Sequence, residues 1–131
     1  MSERENIQQI EQVFAAFGRG DIPYILGLLT SDVRWMSHLD PIVPWSGDYS
    51  GKDNVPKFFQ ALGGAVEVSE HPVHQIVAQG DTVIAKGDVS FRRRSTGKAG
   101  ESRWVYVFTL RDGRITGYEQ FNDPGLAEVF R

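Results

Sequence analysis

The apolar residues at the start of the chain recur every three or four positions, a spacing typical of one amphipathic helix. They are Ile7, Ile10, Val13, Phe14 and Phe17. Ser2 and Glu5 have the spacing of a capping box, so we expect the helix to begin there. Gly18 would end it. Asp21 followed by Pro23 predicts the start of a second, short helix.

A strand, a long loop and a third helix follow in the pattern. The strand covers 32–37, and the loop over 38–51 is punctuated by proline and tryptophan. The third helix is predicted over 52–62 from apolar residues at positions i, i+3, i+4 and i+7. These are Val55, Phe58, Phe59 and Leu62. Gly63 and Gly64 would end this helix.

After Ala65 the period changes to two, which predicts a series of long strands. Their ranges are 66–79, 82–94, 101–111 and 115–122. Pro72 would interrupt the first of them, and a last helical turn is expected over 126–130. Helices followed by a strand meander predict an α+β fold, in which three helices pack on one face of a strongly curved antiparallel sheet.

Alternation along each strand predicts which side chains face the core. The inward sets are Val83, Ala85, Gly87, Val89 and Phe91, and then Trp104, Tyr106, Phe108 and Leu110. The other face of the second set carries Val105 and Val107, so it is apolar as well. A sheet with two apolar faces predicts a second subunit, and hence a homodimer. Periodicity alone does not orient the last strand.

Composition narrows the functional classes. The chain has 131 residues, which predicts one domain over 1–131. It has no cysteine, so disulfide scaffolds, thiolate zinc sites and cysteine nucleophiles are excluded. The net charge of −3 argues against nucleic acid as the main partner. The apolar runs are too short for a transmembrane helix or a signal peptide, so we expect a cytoplasmic protein without a membrane partner.

Four runs of residues, at 14–21, 28–35, 49–59 and 104–115, resemble in order and spacing the nuclear-transport-factor-2-like superfamily. More narrowly, they resemble its SnoaL-like (polyketide-cyclase-like) and ketosteroid-isomerase-related members. The resemblance covers nearly the whole chain. It implies a cone-shaped α+β roll with a deep apolar cavity, commonly a homodimer through the outer sheet face. It also implies that Tyr118, Gln120 and Asn122 face the cavity.

In the steroid isomerases of this fold, a carboxylate near the end of the first strand moves the proton, while a tyrosine and a protonated acid hold the enolate oxygen. The resemblance places Val13 at the tyrosine position and Tyr106 at the acid position. The base position falls near Ser37, with His38 and Asp40 just beyond it.

These positions give the candidate chemistry. His38 or Asp40, at the mouth of an apolar cavity, could act as general base. Tyr106 could donate a hydrogen bond to a developing oxyanion. Alternatively, Asp40 only starts a turn, His38 is solvated, and Tyr106 is a core residue. The substrate-binding candidates are Trp35, Trp45, Trp104, Phe108, Tyr118, Gln120 and Asn122.

His71 and His74 have a spacing that can suggest a metal site, but side chains three apart on a strand face opposite ways. We therefore expect neither a metal nor a cofactor. The leading hypothesis is an enzyme that binds a hydrophobic carbonyl compound and catalyses proton transfer, as in isomerisation, cyclisation or dehydration. The alternatives are a non-catalytic ligand-binding module and a dimeric domain whose cavity is filled by its own side chains.

Overall fold

Four helices and seven strands follow one another in the predicted order, except that a two-residue strand at 47–48 lies inside the predicted loop. The computed structural model describes all 131 residues. The elements are α1 (Glu3–Gly18), α2 (Ile22–Gly27), β1 (Leu29–Ser37), β2 (Gly47–Asp48), α3 (Val55–Ala65), β3 (Val66–Glu70), β4 (Val73–Gln79), β5 (Thr82–Arg93), β6 (Ala99–Arg111), β7 (Arg114–Asn122) and α4 (Gly125–Glu128). None of the helices combines the length and the apolar character needed to span a bilayer.

The first two helices begin where their capping residues predict. The Glu5 backbone N–H donates to Ser2 Oγ at 3.1 Å, and the Ser2 N–H donates to Glu5 Oε1 at 3.1 Å. This reciprocal pair is the capping box expected from the sequence. At α2, the Tyr24 N–H donates to Asp21 Oδ1 at 3.2 Å. Both predictions are confirmed.

The predicted bounds of the third helix are wrong at both ends. The segment 52–54 forms a turn, and α3 begins at Val55 with Pro56 in its first turn, where the missing N–H costs no hydrogen bond. At the other end, Gly63 and Gly64 continue the helix to Ala65. Neither glycine has a positive φ, so the backbone does not use the left-handed conformation that would have ended the helix.

The sheet has the order β2-β1-β7-β6-β5-β3, and β4 pairs with β5 beside β3. The prediction of a wholly antiparallel sheet is wrong in one pair, because β1 runs parallel to β7. The break predicted near Pro72 is confirmed, since β3 ends at Glu70 and β4 begins at Val73. At this break the Asp88 N–H donates to the Pro72 carbonyl at 3.1 Å.

The concave face of the sheet carries the core, and the predicted inward sets on β5 and β6 are confirmed. All of these residues are buried except Tyr106, which is half-buried. Tyr118 and Gln120 on β7 are buried on the same side, as the family resemblance implies. The outer face keeps exposed apolar side chains at Val77 (46 %), Ile84 (39 %), Val105 (38 %) and Phe121 (42 %).

Candidate functional site: an aromatic cavity

A narrow cavity lies between the helices and the concave face of the sheet. Twenty residues line it, and seventeen of them are hydrophobic; the others are His71, Gln120 and Asn122. No Lys, Arg, Asp or Glu belongs to the lining. The cavity volume is about 70 Å³, well below the roughly 300–1,000 Å³ of common ligand pockets. The aromatic rings of the lining account for this small volume.

His71 and Tyr106 form a hydrogen-bonded pair inside this aromatic lining. His71 Nε2 lies 2.9 Å from Tyr106 Oη. The imidazole stacks on the Trp104 ring with 4.7 Å between centroids and 10° between planes. Burial lowers the pKa of His71 to about 4, and burial raises the pKa of Tyr106 well above its ordinary value. Both groups are therefore neutral near pH 7.

Gly87 makes the position of His71 possible. A side chain at Gly87 would collide with the Pro72 carbonyl oxygen and with the Trp104 ring. Without one, the Pro72 segment lies directly over β5, and Trp104 Nε1 donates to the Asp88 carbonyl at 2.8 Å. His71, which precedes Pro72, is thereby brought against Trp104 and Tyr106.

A chain of polar side chains runs along the end of β7 from the cavity to the surface. Ser37 Oγ donates to Gln120 Oε1 at 3.0 Å, and Gln120 Nε2 donates to Asn122 Oδ1 at 3.0 Å. Asn122 Nδ2 donates to Ser102 Oγ at 3.1 Å, and Ser102 Oγ donates to Asp123 Oδ1 at 2.8 Å. The two amides that line the cavity thus belong to one directional hydrogen-bond chain.

Two tryptophans of the lining carry unpaired polar atoms. Trp35 stacks on Tyr118 at 4.1 Å between ring centroids, and Trp45 packs edge-on against Phe130 at 5.6 Å. The indole Nε1 of each is buried and has no hydrogen-bond partner. Burial also raises the pKa of Tyr118 well above its ordinary value.

The structure does not bring His38 and Asp40 to Tyr106, because both lie exposed outside the cavity lining. His38 Nε2 is 3.0 Å from Glu119 Oε1, and the ring stacks on Phe121. Asp40 accepts from the Ile42 N–H at 3.0 Å and from Arg131 Nη2 at 2.8 Å. The hydrogen bond from Ile42, together with Arg131, holds the pKa of the Asp40 carboxyl below its ordinary value. A catalytic role for either residue stays a prediction.

Most of the predicted binding residues do line the cavity. These are Trp35, Trp45, Phe108, Tyr118, Gln120 and Asn122, together with Tyr106. Trp104 lies behind the lining, stacked on Tyr106 at 4.1 Å. Their contact with a ligand stays a prediction.

His71 is the site residue that the sequence analysis missed, since it was considered only as a metal ligand beside His74. His74 Nε2 instead lies 2.8 Å from Asp88 Oδ2, and no three metal-ligating side chains converge anywhere in the structure. Val66 and Val68 face inward, so continued alternation along β3 would place Glu70 inward as well. A register shift between Val68 and Glu70 turns His71 inward instead. No local sequence signal predicts that shift.

The comparison with known proteins agrees with this architecture. The SnoaL-like domain family matches residues 10–118. The chain belongs to the SnoaL-like family. The family and the fold expected from the sequence are thereby confirmed.

Solved structures with this fold cover essentially the whole chain. An NTF2-like protein from Burkholderia xenovorans LB400 is 31 % identical, covers 100 % of this chain and 99 % of its own, and has a TM-score of 0.87. An NTF2-like protein from Burkholderia thailandensis E264 is 26 % identical, with the same coverage and TM-score. TerC, co-crystallised with polyporic acid, is 23 % identical over 96 % of this chain and 98 % of its own, with a TM-score of 0.80. None of the curated proteins compared matches the chain.

Proposed function

We propose that this SnoaL-like protein binds a planar hydrophobic carbonyl compound in the aromatic cavity and catalyses proton transfer on it without a cofactor. The reaction class is isomerisation, cyclisation or dehydration. The observation that carries the proposal is the 2.9 Å contact between His71 and Tyr106 in a lining without charged side chains. The co-crystal of TerC with polyporic acid supports a small organic molecule as ligand on this fold.

The pair has the chemistry to stabilise an enolate. When His71 Nε2 carries its proton and donates to the phenol oxygen, the Tyr106 O–H is free to donate to a ligand carbonyl. Such a preorganised donor in a dry site stabilises the negative charge that develops on that oxygen. The low pKa of His71 keeps the imidazole neutral at pH 7, with one ring nitrogen unprotonated. Because no carboxylate lines the cavity, we propose its second ring nitrogen as the acceptor of the carbon-bound proton.

A ligand must displace aromatic rings to enter. Phe14, Phe17, Phe59 and His71 line the cavity but are only half-buried, so they mark its mouth. We propose that these rings rotate aside when the ligand binds. The small cavity volume favours a second candidate, a dimeric domain whose cavity is filled by its own side chains.

The test combines binding with proton exchange. 1-Tetralone is titrated against the protein by tryptophan fluorescence, and exchange of its α-protons with deuterated water is followed by NMR. We expect saturable binding and enzyme-dependent exchange. Tyr106→Phe should slow the exchange by about 10²–10³-fold, the effect of removing one oxyanion donor. His71→Gln should abolish it, and Tyr24→Phe, outside the cavity lining, is the matched control that should leave it unchanged.

Three outcomes would contradict this assignment. The first is loss of exchange in a His38→Gln, Asp40→Asn double variant, with normal exchange rates in His71→Gln. This result would assign the general base to the loop after β1, as the sequence analysis predicts. Binding without exchange would favour a carrier. A folded protein that binds no ketone would favour the filled core.

We further propose that the protein is a homodimer through the outer sheet face. Its support is the group of exposed apolar side chains there, including Val105 and Phe121, because exposed apolar patches on a sheet mark interaction surfaces. The cytoplasmic location expected from the sequence stays a prediction.

A further inference from the structure

The wall of the cavity formed by β1, β7 and the loop after β1 carries hydrogen-bond donors that the protein does not use. The indole N–H groups of Trp35 and Trp45 are buried without an acceptor. Gln120 and Asn122 each donate one amide hydrogen within the polar chain, which leaves one N–H on each amide free. Buried donors without a protein partner indicate a bound water or ligand.

Asp123 fixes the direction of the polar chain, and with it the positions of the spare amide donors. The single hydroxyl hydrogen of Ser102 has two acceptors within reach, the Arg103 carbonyl at 3.2 Å and Asp123 Oδ1 at 2.8 Å. It donates to Asp123, because the ionised carboxylate is nearer, is charged and can only accept. The Ser102 oxygen then accepts from the Asn122 nitrogen, and Asn122 Oδ1 accepts from the Gln120 nitrogen. The carbonyl oxygen of Gln120 is finally occupied by the Ser37 hydroxyl. Each amide therefore gives one acceptor and one N–H to the chain and keeps its second N–H spare. Reversing the chain would exchange the amide nitrogen and oxygen and so move that spare N–H.

The carboxylate form of Asp123 is favoured by its surroundings. Burial by itself would raise the pKa of Asp123. Hydrogen bonds from Ser102 Oγ and from the backbone N–H groups of Arg103 and Gly125 outweigh that effect and hold the pKa below its ordinary value. The chain is therefore anchored on an anion at neutral pH.

We propose that these donors form a second recognition point that binds a carbonyl oxygen, and that Asp123 is the positioning residue that orients Gln120 and Asn122 for it. The inference rests on the proposed function, since the first carbonyl oxygen is the one that Tyr106 binds. The ligand is then a flat ring compound with two carbonyl oxygens, such as a quinone or a ring diketone. A neutral oxygen fits better than a carboxylate, because no Lys or Arg lines the cavity and an unpaired buried charge is unfavourable.

The two recognition points draw on neighbouring strands. Tyr106 and Gln120 are directly opposite each other on β6 and β7, and side chains in such a pair start about 5 Å apart. The second point also gives selectivity, because a ligand without the second oxygen leaves buried donors unpaired.

The experiment compares two bicyclic ligands that differ in the number of carbonyl groups. 1,4-Naphthoquinone has two and 1-tetralone has one, and the protein has no cysteine thiol to react with the quinone. Affinities are measured by calorimetry at pH 7. We expect the quinone to bind about tenfold more tightly to the wild-type protein, as one net hydrogen bond would give. The ratio of the two affinities should fall towards one in Asp123→Asn, in which the new amide can donate to Ser102 and reverse the chain. Reversal exchanges the nitrogen and oxygen of Gln120 and Asn122, so their spare N–H groups no longer point at the second carbonyl oxygen.

Two further variants separate positioning from folding. Ser102→Ala breaks the chain but leaves the backbone hydrogen bonds to Asp123 intact, so it should lower the same ratio. Asp53→Asn, an exposed residue of the loop before α3, should leave the ratio unchanged. Infrared spectra should show two shifted carbonyl bands of the bound quinone in the wild-type protein, and one of them should return to the free frequency in Asp123→Asn. A merely structural role of Asp123 would not move a band selectively.

Other results would overturn the inference. Equal affinities for the two ligands in the wild-type protein, with binding still dependent on Tyr106, would remove the second recognition point and keep the proposed function. A ratio that Asp123→Asn and Ser102→Ala leave unchanged would remove the positioning role. If neither ligand binds to the folded protein, the proposed function fails together with this inference.

Discussion

At the scale of the residue, the role proposed for His71 depends on its neighbours in space and not on its neighbours in sequence. The histidine contacts Tyr106 through a hydrogen bond and Trp104 through stacking. Both contacts require the strand break at Pro72 and the missing side chain at Gly87. Tyr106 could be predicted as an inward-facing donor from alternation along β6. Its partner could not, because a register shift and not the period of the strand turns His71 inward.

The lowered pKa of His71 leads to a prediction for stability. Its ordinary pKa is 6.5, and in the folded protein it is about 4. Between these pH values the unfolded chain binds a proton that the folded protein does not. The free energy of unfolding therefore falls as the pH decreases from 6.5 to 4. The full pKa difference corresponds to on the order of 3 kcal/mol, and the fall should be smaller than this because the ring is only half-buried.

Urea unfolding of the wild-type protein between pH 7 and pH 4.5 checks this. The His71→Gln variant should lack this part of the pH dependence. His74→Gln, which changes an exposed histidine, should retain it. Because the carboxylates are common to all three proteins, their contribution cancels in the comparison. Parallel curves for wild type and His71→Gln would refute the lowered pKa.

At the scale of the element, sequence patterns predicted nearly every helix and strand but not all of their ends or partners. The capping residues Ser2 and Asp21 located the starts of α1 and α2, because capping is a local interaction. The glycines after Leu62 misled the prediction of α3, because glycine permits a helix end without requiring one. The parallel pairing of β1 with β7 joins distant parts of the chain, so no local period could reveal it.

Two glycines in regular elements should respond to alanine in opposite ways. At Gly64, in the last turn of α3, a Cβ would meet no atom within 4 Å. Gly64→Ala should therefore stabilise the protein by about 0.5–1 kcal/mol through the lower entropy of its unfolded chain. Gly87→Ala should destabilise it by about 1–3 kcal/mol, because the Pro72 carbonyl and the Trp104 ring must move.

Thermal unfolding of the two variants measures the difference. Gly87→Ala should also weaken 1-tetralone binding, since the displaced Pro72 segment carries His71. Gly64→Ala serves as its matched control and should bind 1-tetralone normally. A rise in melting temperature in Gly87→Ala would show that the close contact at β5 does not position the segment.

At the scale of the whole molecule, residues far apart in sequence meet beside the cavity. Leu126 of α4 lines it, Phe130 packs on Trp45, and Arg131 binds Asp40 in the loop after β1. Asp40, a catalytic candidate from its sequence position, therefore anchors the carboxyl-terminal segment. The family resemblance predicted a cavity on the concave face. Only the assembled fold shows that an imidazole and two amides join its aromatic side chains in the lining, without a carboxylate.

The outer face of the same sheet carries the prediction of a homodimer. Val105 and Phe121 are directly paired on β6 and β7, and both are exposed. A stable interface buries on the order of 1,200–2,000 Å² in total, and a charge placed at its centre would be desolvated without a partner. Val105→Glu should therefore convert a dimer to a monomer in sedimentation equilibrium, with unchanged circular dichroism.

Ile42→Glu is the matched control for Val105→Glu, because Ile42 has a similar exposure in the loop after β1, and this variant should remain dimeric. A monomeric wild-type protein, or a Val105→Glu variant that still dimerises, would exclude this face as the interface.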